Sequence, residues 1–147
     1  MPATIIDGKQ VAADMRAELK VEVTELSKDG IVPGLGVILV GEDPASQSYV
    51  SAKEKACAEA GIYSDDNRLP ADTSQEELIA LVEKMNSDPK IHGILVQLPL
   101  PKHINESAVI GTISPDKDVD GFTPGNVGRL VIGEDCFLPC TPQGCVQ

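Results

Sequence analysis

Leu35-Gly-Val-Ile-Leu-Val40 is the stretch on which the fold turns. It is short, apolar without alternation, and bounded by glycine and proline. A strand with one wet face would alternate, whereas a continuous apolar run fits a strand covered on both faces, as in α/β proteins. His92-Gly-Ile-Leu-Val-Gln97 repeats the pattern and ends abruptly at Leu98-Pro-Leu-Pro101. Around these two strands the spacing becomes helical. Val11, Met15, Leu19, Val23 and Leu26 predict an amphipathic helix from about Gly8 to Lys28, closed by Gly30. Asp43-Pro44, an N-cap followed by proline in the first turn, opens a second helix that runs to Ala60 and stops at Gly61. Ile62 to Leu69 reads as a polar strand. Thr73-x-x-Glu76 or Ser74-x-x-Glu77 then supplies a capping box for a helix ending near Ser87. A short helix is expected over Asn105 to Gly111, followed by a loop through Pro115 to Gly121. Strands alternate with helices throughout, so the expected architecture is α/β, a mostly parallel sheet flanked by helices. Ligands in such sheets bind beyond the carboxyl ends of the strands, where Gln97 stands.

Composition narrows the function classes. The 147 residues suit one compact domain, 41% apolar and 24% charged, and with no tryptophan the core must be built from Val, Ile, Leu and Ala. A formal net charge of −11 argues against nucleic acid as a partner while leaving small anionic ligands open. No apolar run approaches the roughly 20 residues of a membrane helix. The N-terminus lacks a basic segment followed by an apolar one, so no membrane association and a cytoplasmic location are expected. Cysteines 57, 136, 140 and 145 form no C-x-x-C pair and no histidine lies near the last three, so free thiols rather than a metal site are expected. Dinucleotide, Walker, zinc-protease and nucleophile-elbow motifs are absent, and Gly34-Leu-Gly36 is too short to stand for one.

Three groups can carry chemistry. Tyr49 and Lys53 are four apart on the second helix and so share a face, where a phenol can orient an amine and share a proton with it. Lys53-Glu-Lys55 is equally readable as ordinary helix surface. Gln97 is unexpected at the end of an apolar strand. Its amide both donates and accepts, which suits holding a lysine or a polar heterocycle, though it can also merely cap the strand where it meets solvent. Asp118 and Asp120 flank Val119 in a turn closed by Gly121. A carboxylate there can grip an amino-pyrimidine through paired hydrogen bonds, or serve only as an Asx turn.

The order of these signals carries a resemblance. Ser46-Gln-Ser-Tyr49-Val-Ser-Ala-Lys53-Glu-Lys55, Gly93-Ile-Leu-Val-Gln97-Leu-Pro-Leu-Pro101, and Pro115-Asp-Lys-Asp-Val-Asp-Gly-Phe122 resemble signatures of the bifunctional methylenetetrahydrofolate dehydrogenase/methenyltetrahydrofolate cyclohydrolase family. Asn126-Val-Gly-Arg-Leu130 and Pro139-Cys-Thr-Pro-Gln-Gly144 extend it over essentially the whole chain. The resemblance implies that Lys53 is the catalytic lysine of the cyclohydrolase step. Tyr49 is similar to the residue that packs on the folate rings and helps place that lysine, and Gln97 to the glutamine that hydrogen-bonds it. Val96 and Leu98 are implied to line the pocket, and Asp120 to anchor the pterin ring.

The resemblance also implies tetrahydrofolate derivatives as ligands, NADP as cofactor with NAD as the alternative, and a homodimeric full-length protein of which this piece is monomeric. It places a folate-binding catalytic domain over 1–139. Cys140-Thr141-Pro142 looks like a helix start with Thr141 as N-cap, and only five residues follow Pro142. Residues 140–147 are therefore expected to begin a linker helix to a missing nucleotide-binding domain that holds most of the cofactor site. Dehydrogenase activity is accordingly not expected of the chain alone. The rival readings are a folate-binding module without turnover and a dehydrogenase-only relative.

Overall fold

The computed structural model describes residues 5–146. Residues 1–4 and 147, the ends of the two expected segments and part of the N-terminal reading, lie outside them. In chain order the elements are α1 (Gly8–Lys28), β1 (Gly34–Val40), α2 (Pro44–Ala60), β2 (Tyr63–Leu69), α3 (Gln75–Ser87), β3 (Gly93–Val96), α4 (Glu106–Thr112), α5 (Pro124–Ile132) and α6 (Cys140–Val146). The three strands form one parallel sheet in the order β2-β1-β3, so the apolar run 35–40 is its central strand.

Two cores explain why β1 does not alternate. Ile38 and Val40 point to one face, where Leu78, Val82 and Met85 of α3 and Val109 of α4 join Ile94 and Val96. Val37 and Leu39 point to the other face and meet Val50 of α2 and Leu95 of β3. Each successive side chain of β1 therefore enters a different apolar layer, as its sequence predicts.

The local signals act as read. Asp43 accepts from the Ser46 N–H at 2.8 Å with Pro44 in the first turn, and Gly61 ends α2 in the left-handed region at φ 84°. Of the two capping boxes the sequence allows, the chain uses Ser74 and Glu77, with the Glu77 carboxylate accepting from the Ser74 N–H at 3.0 Å. β2 is an edge strand, polar along Ser64-Asp-Asp-Asn-Arg68 and half-buried over most of its length.

Three details differ from the sequence reading. α6 begins at Cys140, so Thr141 and Pro142 lie within its first turn and Thr141 is not the N-cap. α5 was not foreseen, although Thr123-Pro124 carries the same cap-and-proline signal as Asp43-Pro44, and the Thr123 side chain accepts from Asn126 N. On α1 only Val23 of the apolar stripe is buried, while Val11, Met15, Leu19 and Leu26 stay open.

Candidate active site

α2 decides which residues face inward. Its buried positions are Ser46, Val50, Cys57 and Ala60, a stripe with steps of four, seven and three. Lys53 falls in that stripe between Val50 and Cys57 and is half-buried, so it is not the surface lysine that Lys53-Glu-Lys55 alone would allow. Tyr49, one turn earlier, lies at the edge of the stripe with 64% of its surface exposed. Its ring is open to a flat ligand laid over the helix.

Gln97 is the first residue beyond β3, at the carboxyl end of the sheet, and its N–H donates to Ile38 O at 2.8 Å. Its side-chain nitrogen donates to Leu98 O at 2.8 Å, which turns the amide oxygen outward, and that oxygen accepts from Lys53 Nζ at 3.2 Å. The helix stripe and the strand end thus converge on one contact between residues 44 apart in sequence. Val96 is 6% exposed within the first core layer, on the sheet face opposite α2, and Leu98 packs partly buried against that layer.

Asp120 sits in the loop between α4 and α5, half-buried and facing the same region. Burial holds its carboxyl above the usual aspartate range and the Asp118 charge adds to this, while the Lys53 ammonium draws it the other way. Asp118, two residues earlier, is 1% exposed and has the opposite character. Burial pushes its carboxyl up. Hydrogen bonds from the Thr123 N–H, the Asn126 amide and the Phe122 N–H more than offset that and hold it below the ordinary value. Lys53, Gln97 and Asp120 are therefore brought together, with Tyr49 beside them on the same helix. The buried group of Asp118, Thr123 and Asn126 was missed by sequence reasoning, and the Thr123-Pro124 cap was the signal that could have found it.

Among the described residues the turn after β1 does not offer a dinucleotide-binding loop. The turn between β1 and α2, where a glycine-rich phosphate loop would lie, is Gly41-Glu42-Asp43, and Asp43 already caps the α2 N-terminus with its own carboxylate. A pyrophosphate would meet negative charge there. Among the described residues no group of three or more His, Cys, Asp or Glu could hold a metal ion, and the four cysteines are unpaired.

A parallel α/β sheet with a lysine, an amide and a carboxylate beyond its strand ends is an arrangement that can hold a small polar ligand and exchange protons with it. The tetrahydrofolate dehydrogenase/cyclohydrolase catalytic-domain family matches residues 6–120, and the chain belongs to that family. It is 64% identical over 146 residues to the bifunctional protein FolD of Moorella thermoacetica, covering 99% of this chain and 52% of that protein. The crystal structure of the bifunctional FolD methylenetetrahydrofolate dehydrogenase/cyclohydrolase from Campylobacter jejuni superposes with a TM-score of 0.95 at 49% identity, over 97% of this chain and 51% of that one. The Trypanosoma brucei dehydrogenase-cyclohydrolase FolD, complexed with NADP cofactor and inhibitor, gives a TM-score of 0.92 at 41% identity, over 97% and 50% of the two chains. The chain thus spans about half the length of the relatives it matches. No described helix is long and apolar enough to cross a membrane.

Proposed function

We propose that this chain supplies the folate site and the acid–base residues of a methylenetetrahydrofolate dehydrogenase/methenyltetrahydrofolate cyclohydrolase in one-carbon metabolism. The observation that carries the reading is the Lys53–Gln97 contact at the strand ends, with Asp120 charged against it. In the hydrolytic step water attacks the methenyl carbon between N5 and N10 of the cofactor-like substrate. The carbon–oxygen bond forms, the bond to N5 breaks, and the formyl group stays on N10. The water gives up both its protons as its oxygen becomes the formyl carbonyl, one reaching N5 and the other released to solvent. Lys53, steadied by the Gln97 oxygen, stands where one amine can serve both transfers. Tyr49 covers the ring system and Asp120 accepts from the amino-pyrimidine edge, with Val96 and Leu98 lining the pocket through the backbone on either side of Gln97.

The oxidative step belongs to a longer protein. This chain would position the methylene carbon, and NADP, with NAD as the alternative, would be held by the part its relatives carry beyond the matched half. In this reading 1–139 is the folate domain and 140–147 leads toward the nucleotide-binding one. The longer protein is a homodimer of the cytoplasm, and the chain alone is monomeric.

The decisive test is the loss of methenyltetrahydrofolate absorbance in the presence of the chain. Hydrolysis above the buffer rate is the expected result. Tight binding of tetrahydrofolate with no hydrolysis would instead favour a binding module without turnover. A second expectation concerns acid. Asp120 must be ionised to accept from the pterin, and its carboxyl is held above 3.8 by burial. Tetrahydrofolate affinity therefore falls, as the pH is lowered, earlier than for an ordinary aspartate. Asp120→Asn removes that acid limb; a limb retained in the variant would detach Asp120 from pterin binding.

A further inference from the structure

Asp118 and Asp120 are neighbours in one loop with opposite fates, and the difference points to a division of labour. Among the described residues the Asp120 carboxylate has no hydrogen-bond partner, and what acts on it is burial together with the Lys53 and Asp118 charges. Every other residue from 117 to 123 is tied. The Lys117 carbonyl accepts from Ile94 N at 2.7 Å, so the loop starts as a parallel bridge onto β3, and Lys117 Nζ donates to the Met85 and Asp88 carbonyls. The Val119 side chain lies so close over Gly93 that a Cβ there would overlap it. Gly121 is left-handed at φ 66°, and a Cβ on it would come within 2.6 Å of Phe137 O. Phe122 and Thr123 are held through their N–H groups by Asp118, at 3.2 and 2.8 Å. Asn126 of α5 donates to the same carboxylate at 3.0 Å and to Pro115 O at 2.9 Å, closing the loop across its mouth.

We propose that Asp118 is the positioning residue of the folate site: its buried carboxylate gathers the Phe122, Thr123 and Asn126 donors and so fixes the segment that presents Asp120. This rests on the reading of Asp120 as the pterin-binding carboxylate. A buried carboxylate persists only when its oxygens are satisfied, and here two backbone N–H groups and one amide do so. An ionised carboxylate is the group the geometry demands, because each of its two oxygens meets a backbone N–H, of Phe122 on one and Thr123 on the other, that can only donate. Asparagine at this position would turn an NH2 toward at least one of them, either Phe122 N or the Thr123 and Asn126 pair. The loop must then shift by the width of a lost hydrogen bond, and a preorganised contact loses affinity over such distances.

The test is a double-mutant cycle read as the dissociation constant for tetrahydrofolate, titrated without oxygen. Asp118→Asn is expected to weaken binding by about tenfold, and Asp120→Asn by at least as much. In Asp118→Asn/Asp120→Asn the first change adds less than about twofold to the second, because a residue acting through Asp120 has nothing left to position. Losses that multiply would overturn the proposal, since a merely structural role weakens both backgrounds alike. Unchanged affinity in Asp118→Asn overturns it as well. Unchanged affinity in Asp120→Asn overturns instead the reading on which it rests. Should Asp118→Asn fail to fold, Asn126→Ala removes one of the three donors and leaves both backbone bonds. A smaller loss, of about threefold, is then expected, and it vanishes in the Asp120→Asn background. A folded Asn126→Ala chain with wild-type affinity sinks the idea.

Discussion

Lys53→Met is expected to abolish the proposed methenyltetrahydrofolate hydrolysis, a fall of about a hundredfold or more toward the buffer rate. Methionine keeps the length of the side chain and suits the apolar stripe of α2 between Val50 and Cys57, so the fold has no reason to suffer. What disappears is the single amine that meets the Gln97 oxygen at 3.2 Å. Thermal unfolding should be unchanged or slightly raised, because a half-buried cation has been replaced by an apolar group. Gln97→Ala is the informative companion. It leaves the amine but frees it to swing, and a smaller loss of hydrolysis is expected than for Lys53→Met. Equal rates in the wild type and in Lys53→Met would remove Lys53 from the chemistry altogether.

The largest effect on stability is expected at Gly34, the first residue of β1. Its N–H donates to His92 Nδ1 at 3.0 Å and its carbonyl accepts from His92 N at 2.8 Å, so the segment before β3 is stitched to the start of the central strand. A Cβ on Gly34 would overlap the Lys90 carbonyl oxygen, which is backbone and cannot rotate away as a side chain could. Gly34→Ala must therefore spread β1 and β3 at their amino ends, at a cost of about 3 kcal/mol. Gly128→Ala is the control. Gly128 lies inside α5 with nothing within 4 Å of its would-be Cβ, and alanine there should stabilise by up to about 1 kcal/mol. Urea unfolding of the two variants, read as midpoint shifts of opposite sign, checks the pair. A Gly34→Ala midpoint equal to wild type would mean that the two strands do not meet so closely.

The fold was legible because its signals are local. A run of apolar residues with no alternation can only be a two-sided strand or a buried helix, and six residues between glycine and proline are too few for the helix. Asp43-Pro44 and Ser74-x-x-Glu77 announced their helices by the chemistry of their caps. Tyr49, Lys53, Gln97 and Asp120 were legible as candidates, but periodicity could not tell surface from site for any of them. The inward turn of Lys53 depends on Val50 and Cys57 meeting a sheet that the sequence does not show. Asp118 was the harder case. Aspartate two residues before another in a turn reads as an Asx turn, and its burial depends on Asn126, which arrives from a helix the pattern did not reveal. The exposed stripe of α1 is the converse: correct periodicity, with little of the described chain packed against it.

The polar edge strand has a bearing on how the protein behaves in a crowded solution. An unpaired strand edge is a template for another chain, and a sheet whose other two strands are wholly apolar would be a ready seed for aggregation. β2 interposes Asp65, Asp66 and Arg68 at that edge, with Arg68 locked to Asp66 at 2.8 Å and to Glu54 at 3.0 Å. A second copy laid against it in register would bring like carboxylates together. The strand that is hardest to recognise by its composition thus guards one edge of the sheet, while at the other the segment that holds Lys117 and Asp118 lies against β3.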